Sequence, residues 1–291
     1  MVTDARLGVT RLRDGRALSY AEWGPFDGRP ILHFHGVPDG RLSWGGGSLC
    51  ADRGVRLIAV DRPGVGESDP KPGRSVGDWP ADVEELAEEL ELDRFAVSGW
   101  SAGGGYALAC AHGLQPRIDA VALVSGAGRL DLPGFVEQMS SAAAWRLASR
   151  FPSVMTLAYS AIAHLARRSP GAARKVLFSG VSKVDRAVID RPEVGARLVS
   201  AYIEATRFGS RGQTEDMQAM LRPWGFDPTE IRLPVRPRRQ PDGLDHEPRP
   251  PHGRRNPARL NRATGPQAEP GLTGHAARAS RTFSTCPSSR K

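Results

Sequence analysis

The 291-residue chain is long enough for a sizeable core, and its 40% hydrophobic content is ordinary for a globular protein. Its net charge of +8 lies entirely in residues 235–291, so residues 1–234 are formally neutral and a basic nucleic-acid-binding face is not expected. The three cysteines have no metal-ligand spacing, and no stretch approaches the ~20 apolar residues that cross a bilayer. These features predict a cytoplasmic protein with no cofactor, no metal site and no membrane partner.

The first part of the chain predicts an antiparallel edge followed by parallel strands. Residues 7–12 and 17–23 have the pattern of two strands joined at Asp14-Gly15, a dipeptide that favours a hairpin turn. Residues 30–34 and 55–60 are short apolar runs without alternation, as in strands covered on both faces by helices. Further strands are predicted at residues 95–97 and 120–124.

Helical patterns alternate with these strands. In residues 80–91 the apolar side chains recur at positions i, i+3, i+4 and i+7, and a proline lies in the first turn. A weaker helix is predicted over residues 42–53, where three glycines interrupt the pattern. The alternation predicts an α/β fold with a mostly parallel sheet flanked by helices.

The pentapeptide at residues 99–103, Gly-Trp-Ser-Ala-Gly, lies between the strand at 95–97 and a predicted helix at 106–111. It matches the G-x-S-x-G nucleophile elbow, in which small residues allow a sharp turn and leave the serine exposed. Ser101 is then the candidate nucleophile, and the amide of Ala102 would face an oxyanion. Taken alone, the pentapeptide fits an ordinary glycine-rich turn equally well.

From residue 131 to about 224 the pattern changes to helices separated by Pro-Gly breaks, clearest at residues 143–148, 154–166 and 194–206. No strand is predicted there. We interpret this segment as a helical cap over the cleft; the alternative is that the helices pack on the flank of the sheet.

Four motifs in order carry a family resemblance: His-Gly-Val-Pro at 35–38, the Asp-Arg-Pro-Gly segment at 61–69, the elbow, and Pro-Trp-Gly-Phe-Asp at 223–227. Over roughly residues 15–235 the chain resembles the α/β-hydrolase superfamily, in particular the bacterial HGxP-type serine hydrolases. The resemblance implies a sheet of about eight strands, a helical cap and a triad in the order Ser, acid, His. The implied organisation is a core at 1–128, a cap at 129–228, the start of a returning strand at 229–236, and a tail at 237–291.

The resemblance assigns Ser101 as nucleophile and the backbone amides of Val37 and Ala102 as the oxyanion hole. It implies that His35 shapes its loop and is not the catalytic base. Two further pairs lie close to these motifs. Asp61 and Arg62 are expected to fix the second loop as a pair, whereas Asp39 and Arg41 are equally compatible with solvated and with functional positions.

After residue 236 the sequence departs from the family pattern. The expected strands are absent and prolines interrupt the segment, although Asp245 and His275 lie near the expected positions of the acid and the base. Asp131 is an alternative acid. The Pro/Arg-rich tail is therefore predicted to be disordered, the last strands to be missing, and the change of composition to reflect a shifted reading frame.

Two functions follow. The first is a cofactor-independent serine hydrolase that acts on a small ester or lactone through an acyl-enzyme. The second is a hydrolase-fold protein that binds a small ligand with impaired or no turnover because its C-terminus is frameshifted. Nucleic-acid binding by the basic tail is a third, less favoured hypothesis, and a base within reach of Ser101 would distinguish the first two.

Overall fold

The computed structural model describes residues 5–44, 46–233 and 235–238. Its strands are β1 (Arg6–Arg11), β2 (Ala17–Trp23), β3 (Arg29–Phe34), β4 (Val55–Val60), β5 (Phe95–Trp100), β6 (Ile118–Val124) and β7 (Val235–Arg238). They form one seven-stranded sheet in the order β1-β2-β4-β3-β5-β6-β7. β1 pairs antiparallel with β2, and β2 antiparallel with β4, whereas every pairing from β4 to β7 is parallel. The predicted mostly parallel sheet with an antiparallel edge is confirmed.

The helices are α1 (Gly47–Asp52), α2 (Trp79–Glu89), α3 (Gly103–Gly113), α4 (Ala142–Arg150), α5 (Pro152–Arg168), α6 (Pro170–Leu177), α7 (Lys183–Ile189), α8 (Pro192–Ala205) and α9 (Arg211–Leu221). The weak helix predicted at 42–53 is shortened to α1, which follows a 3₁₀ turn at Arg41–Ser43. The sequence analysis predicted helices throughout residues 131–224 but gave no ranges for α6, α7 and α9. The Pro-Gly break at residue 170 separates α5 from α6, and Pro170 lies at the first position of α6, where proline is tolerated.

The core lies on the faces of the sheet and continues into the helices. Leu32 and Phe34 of β3 and Ile58 and Val60 of β4 are fully buried. Successive residues of a strand point to opposite faces, and Ile58, Ala59 and Val60 are all inaccessible, so both faces of β4 are covered. Burying each large apolar side chain contributes about 1.5–3 kcal/mol.

Strand β6 is covered less completely than its apolar sequence predicts. Ile118 and Val121 are buried, but Asp119, Ala120, Ala122 and Val124 are exposed, and Val124 retains 40% of its accessible surface. Within the described residues, no element covers this outer part of β6.

Strand β7 extends two residues beyond the boundary that the sequence analysis placed at 236. Its register sets Val121 beside Val235 and Leu123 beside Pro237. Proline lacks a backbone N–H and is tolerated on edge strands, and β7 is the last strand of the described sheet. The predicted disorder of the tail, any eighth strand, Asp245 and His275 lie outside the described residues.

Candidate active site

Ser101 lies in a sharp turn between β5 and α3, as the elbow motif predicts. Its φ is 52°, in the left-handed region that residues with a side chain rarely occupy. The backbone N–H of Ser101 donates to the carbonyl of Val124 at 3.1 Å, and the Ser101 carbonyl accepts from Gly104 (3.0 Å) and Ala127 (2.9 Å). Neighbouring backbone therefore holds the strained turn in place.

The glycines of the motif are required by close backbone contacts. A Cβ on Gly99 would lie 2.2 Å from the carbonyl oxygen of Gly103, and a Cβ on Gly103 would lie 2.1 Å from that of Phe34. Neither position has room for a side chain. The chain can enter and leave the turn this steeply only because both ends are glycine.

The loop after β3 packs directly on the elbow. A Cβ on Gly36 would lie 3.3 Å from the Cβ of Ser101. Ser101 and Val37 are both half-buried, and Ala102 is buried. Among the described residues, the Ser101 hydroxyl has no hydrogen-bond partner, and the backbone N–H groups of Val37 and Ala102 have no acceptor.

Arg62 holds the loop after β3 through hydrogen bonds to its backbone. Its guanidinium donates to the carbonyls of His35 (2.6 Å) and Gly36 (2.9 Å) and, through Nε, to Asp216 at 2.8 Å. Asp216 also accepts from Arg74 at 2.7 Å and from the Tyr106 hydroxyl at 3.1 Å. Burial favours the neutral acid, but the two guanidinium groups outweigh it and lower the pKa of Asp216.

His35 is engaged with its own loop. Its Nε2 accepts from the backbone N–H of Arg62 at 3.3 Å, and Nδ1 donates to the carbonyl of Gly36 at 2.8 Å. Burial, and next the charge of Arg62, lower its pKa well below the ordinary value, so the ring is neutral. Hydrogen bonds occupy both ring nitrogens, and the lowered pKa makes the ring a weak base, so His35 is unavailable as a base for Ser101, in agreement with the structural role implied by the resemblance.

The expectation that Asp61 and Arg62 form a pair is wrong. Asp61 pairs with Arg41, which also contacts Glu67 at 2.7 Å, while Arg62 pairs with Asp216. The solvated alternative for Asp39 and Arg41 is also wrong, because they are only 5% and 1% exposed. The observed ion pairs follow from burial, since the buried charges of Arg41, Asp61 and Arg62 need partners of opposite charge and find them on other elements of the fold.

No described histidine hydrogen-bonds to Ser101. The ring of His33 bonds to the Ser98 hydroxyl at 2.9 Å, and burial lowers its pKa to about 4. His112 bonds to Glu230 at 2.8 Å, and His164 is exposed on α5. The alternative acid, Asp131, is held by Arg129 through two hydrogen bonds of 2.7 and 2.6 Å.

Sequence analysis missed Gln213 and Asp216, two buried polar residues of α9 that hold the loops of the site. They lie three positions apart and thus on one helix face, with Met217 and Met220. A search for amphipathic helices takes the apolar face as the buried one, so a buried face that carries polar residues is overlooked. The spacing of Gln213 and Asp216 can be seen in the sequence, but the burial of their face of α9 cannot.

A cavity of about 30 Å³ lies beside the elbow, lined by residues of the loop after β3, of β5 and of the segment between β6 and β7. The lining includes Pro38, Asp39, Trp100, Phe178, Leu198 and Tyr202. Pro38 and Trp100 are the neighbours in sequence of Val37 and Ser101. The part of the lining that comes from the helical segment is mostly apolar.

Replacing Ser101 with glycine should stabilise the protein. Glycine occupies positive φ without the strain of about 1–2 kcal/mol that a Cβ causes in the folded state. Glycine also makes the unfolded chain more flexible, which offsets about 0.4–1 kcal/mol of this gain. We expect the free energy of unfolding in urea to rise by up to about 1 kcal/mol. Ser101→Ala is the matched control, because it removes the same hydroxyl but keeps the Cβ. A Ser101→Gly protein no more stable than Ser101→Ala would contradict the prediction.

Within the described residues, no cluster of three or more His, Cys, Asp or Glu side chains has an arrangement that could hold a metal ion. The described part also contains no helix with the combined length and apolar character that crossing a membrane requires.

Comparison with known proteins agrees with this geometry. Residues 29–160 match the family model described as "alpha/beta hydrolase fold". The chain is 36% identical over 122 residues to a non-heme chloroperoxidase of Streptomyces lividans, covering 41% of this chain and 44% of that protein. It is 32% identical over 101 residues to a bifunctional esterase/perhydrolase of Acinetobacter calcoaceticus, covering 34% and 37% of the two chains. These matches span less than half the length of either relative.

Among solved structures, the fold is similar to that of a thermophilic esterase from Thermogutta terrifontis, with a TM-score of 0.56 and 22% identity. The similarity covers 80% of this chain and 78% of the esterase. The parallel sheet, the serine at the β5–α3 turn and the match of residues 29–160 agree, and the chain has the α/β-hydrolase fold.

Proposed function

We propose that this protein is a serine hydrolase that cleaves a small ester or lactone through an acyl-enzyme on Ser101. One observation carries the proposal. The Ser101 hydroxyl lies in a strained strand-to-helix turn without a hydrogen-bond partner in the described residues, next to a loop and a helix start whose Val37 and Ala102 amides have no acceptor there. A free nucleophile beside two free donors is the arrangement that acyl transfer needs.

In the proposed mechanism, Ser101 Oγ attacks the carbonyl carbon of the ester and loses its proton to a base. The carbonyl oxygen becomes an oxyanion, and the N–H groups of Val37 and Ala102 donate to it. Collapse of the intermediate breaks the bond to the alcohol, which takes up the proton and leaves. Water then attacks the acyl-Ser101 ester and releases the carboxylic acid, which restores the serine.

The base and the acid of this mechanism are proposals from the sequence. His275 is the proposed base and Asp245 the acid that orients it, and both lie outside the described residues. The alternative acid, Asp131, would first have to release Arg129, which holds both of its carboxylate oxygens. Asp245 is therefore the better candidate.

The helices between β6 and β7 favour the proposal that the substrate is small. We propose that residues 129–228 form a cap, because Phe178, which directly follows α6, and Leu198 and Tyr202 of α8 line the cavity beside the elbow. The cavity is small and its roof is largely apolar. This favours a short acyl or alcohol group as the occupant.

A specific observation also favours the second function, ligand binding with impaired turnover. No described histidine bonds to Ser101, and without a base a serine hydroxyl is a poor nucleophile. The two functions differ in whether Ser101 is activated.

A fluorophosphonate probe distinguishes them, because it reacts rapidly only with an activated serine. If the protein is a hydrolase, mass spectrometry should locate the adduct on Ser101, and Ser101→Ala should abolish labelling. His275→Ala should slow labelling and p-nitrophenyl butyrate hydrolysis by similar factors if His275 is the base. Labelling of the unmodified protein no faster than that of Ser101→Ala would contradict the hydrolase proposal and favour the binding function.

A further inference from the structure

The cavity beside the elbow contains a buried carboxyl group with an unsatisfied oxygen. Asp39 is 5% exposed, and its Oδ1 accepts from the backbone N–H of Gly40 at 2.8 Å. Its Oδ2 is buried and has no hydrogen-bond partner in the described structure. The nearby Ser43 hydroxyl donates to the carbonyl of Gly40 at 3.1 Å. An unpaired buried carboxylate oxygen is costly to the fold, which suggests that a ligand satisfies it.

The position of Asp39 is fixed by its backbone. Its N–H donates to Gln213 Oε1 at 3.2 Å, and its carbonyl accepts from Gln213 Nε2 at 2.8 Å. Gln213 is fully buried in α9. This two-bond contact fixes the backbone from which the carboxyl group projects into the cavity lining.

The rest of the cavity offers Asp39 no compensation. The other side chains of the lining named above are apolar or aromatic, and the Tyr202 hydroxyl donates to the carbonyl of Tyr159 at 2.8 Å. Of the nearby charges, Arg62 is paired with Asp216, and Asp61 is paired with Arg41. Burial raises the pKa of Asp39 to about 7, against the opposing effects of the Gly40 hydrogen bond, of the nearby Ser43 hydroxyl and of the charge of Arg62. The group can therefore ionise close to neutral pH when a cation approaches it.

We propose that this cavity is a subsite for a positively charged amino group, and that Asp39 selects ligands with a primary ammonium head. An ammonium group donates to Oδ2 and neutralises the carboxylate, and its other faces meet the rings of Trp100, Phe178 and Tyr202. A cavity of about 30 Å³ holds one such head group. The identification of the ligand as a substrate rests on the proposed hydrolase function, whereas the binding of ammonium does not.

Ethylammonium chloride and ethanol form a matched pair of probes with the same shape and different charge. The indole N–H signal of Trp100, assigned with a Trp100→Phe variant, reports binding by NMR, with sodium chloride as the control for salt. Ethylammonium is expected to bind with a dissociation constant in the millimolar range, because a molecule of three heavy atoms cannot bind much more tightly. Ethanol should bind at least tenfold more weakly.

Asp39→Asn keeps the shape of the side chain and an oxygen for Gly40, and should weaken ethylammonium binding at least tenfold without changing ethanol binding. Should that variant fail to fold, the unmodified protein still tests the proposal. Its affinity for ethylammonium should rise between pH 6 and 8, roughly a unit on each side of the Asp39 pKa of about 7, as Asp39 ionises. Ethylammonium, a primary amine with a pKa like that of lysine at about 10.4, stays charged throughout.

The proposal is overturned if ethylammonium shifts Trp100 no more than sodium chloride does, if ethanol binds as tightly, or if the affinity is independent of pH and of Asp39. The binding measurement needs no catalysis. Ammonium binding in a protein that fluorophosphonate does not label would refute the hydrolase function and leave the subsite standing. Labelling of Ser101 without ammonium binding would refute the subsite and leave the hydrolase function standing.

Discussion

Replacement of Ser101 with alanine is expected to reduce kcat/KM for p-nitrophenyl butyrate by at least about a thousandfold, because loss of the nucleophile leaves only the catalysis that binding and the oxyanion hole supply. The substitution removes a hydroxyl that has no hydrogen-bond partner in the described residues. The free energy of unfolding should therefore change by no more than about 0.5 kcal/mol. Circular dichroism and urea titration check this stability, and initial rates over a range of ester concentrations give kcat/KM.

Ser98→Ala is the matched control. Ser98 lies on β5, three residues before Ser101, and its hydroxyl bonds to His33 at 2.9 Å, outside the proposed catalytic arrangement. This variant should lose about 1 kcal/mol of stability from the missing hydrogen bond while keeping its activity. Equal rates for the unmodified protein and Ser101→Ala would show that Ser101 is not the nucleophile. A large loss with Ser98→Ala alone would place the chemistry elsewhere.

Replacement of Asp216 with asparagine is expected to be the most destabilising conservative change in the described structure. Asp216, Arg62 and Arg74 are 0%, 0% and 3% exposed at their side chains, and Asp216 is the carboxylate that both guanidinium groups contact. Removing one member of a buried ionic cluster leaves uncompensated charge and typically costs about 3–5 kcal/mol. Denaturation in urea should show the loss as a lower midpoint, and the His35–Gly36 loop that Arg62 holds should lose order with it.

Asp119→Asn provides the comparison. Asp119 also pairs with an arginine, Arg94, but their side chains are 52% and 58% exposed. A solvent-screened pair of this kind contributes less than about 1 kcal/mol. If both variants lose the same stability, burial is not what makes the Asp216 cluster important.

The ion cluster of Asp216, Arg62 and Arg74 should make the free energy of unfolding depend on pH in the acidic range. The pKa of Asp216 lies below its ordinary value in the folded protein, so the folded state favours the ionised carboxylate. This contribution is fully present above the pKa of the unfolded chain and is lost as the pH falls through the lower folded value. Asp216→Asn should lack this part of the acid dependence.

The sequence by itself determined the α/β class and the position of the elbow. Strand, turn and helix follow from local features: the apolar run before Gly99, the small residues around Ser101, and the helix-forming residues after Gly103. The close backbone contacts at Gly99 and Gly103 show why those residues are glycine. Such features depend on neighbours in the chain, and a pattern search recovers them.

Only the tertiary structure decided how the charges are paired. Arg62 was expected to pair with its neighbour Asp61, but it pairs with Asp216, which lies 154 positions away. Asp39 lies beneath the helices at 5% exposure, although its sequence neighbours Pro38 and Gly40 suggest a surface turn. Burial is a property of the whole fold, since helices from a distant part of the chain exclude water from these groups. A buried charge then takes its partner by proximity in space, and sequence separation carries no information about that proximity.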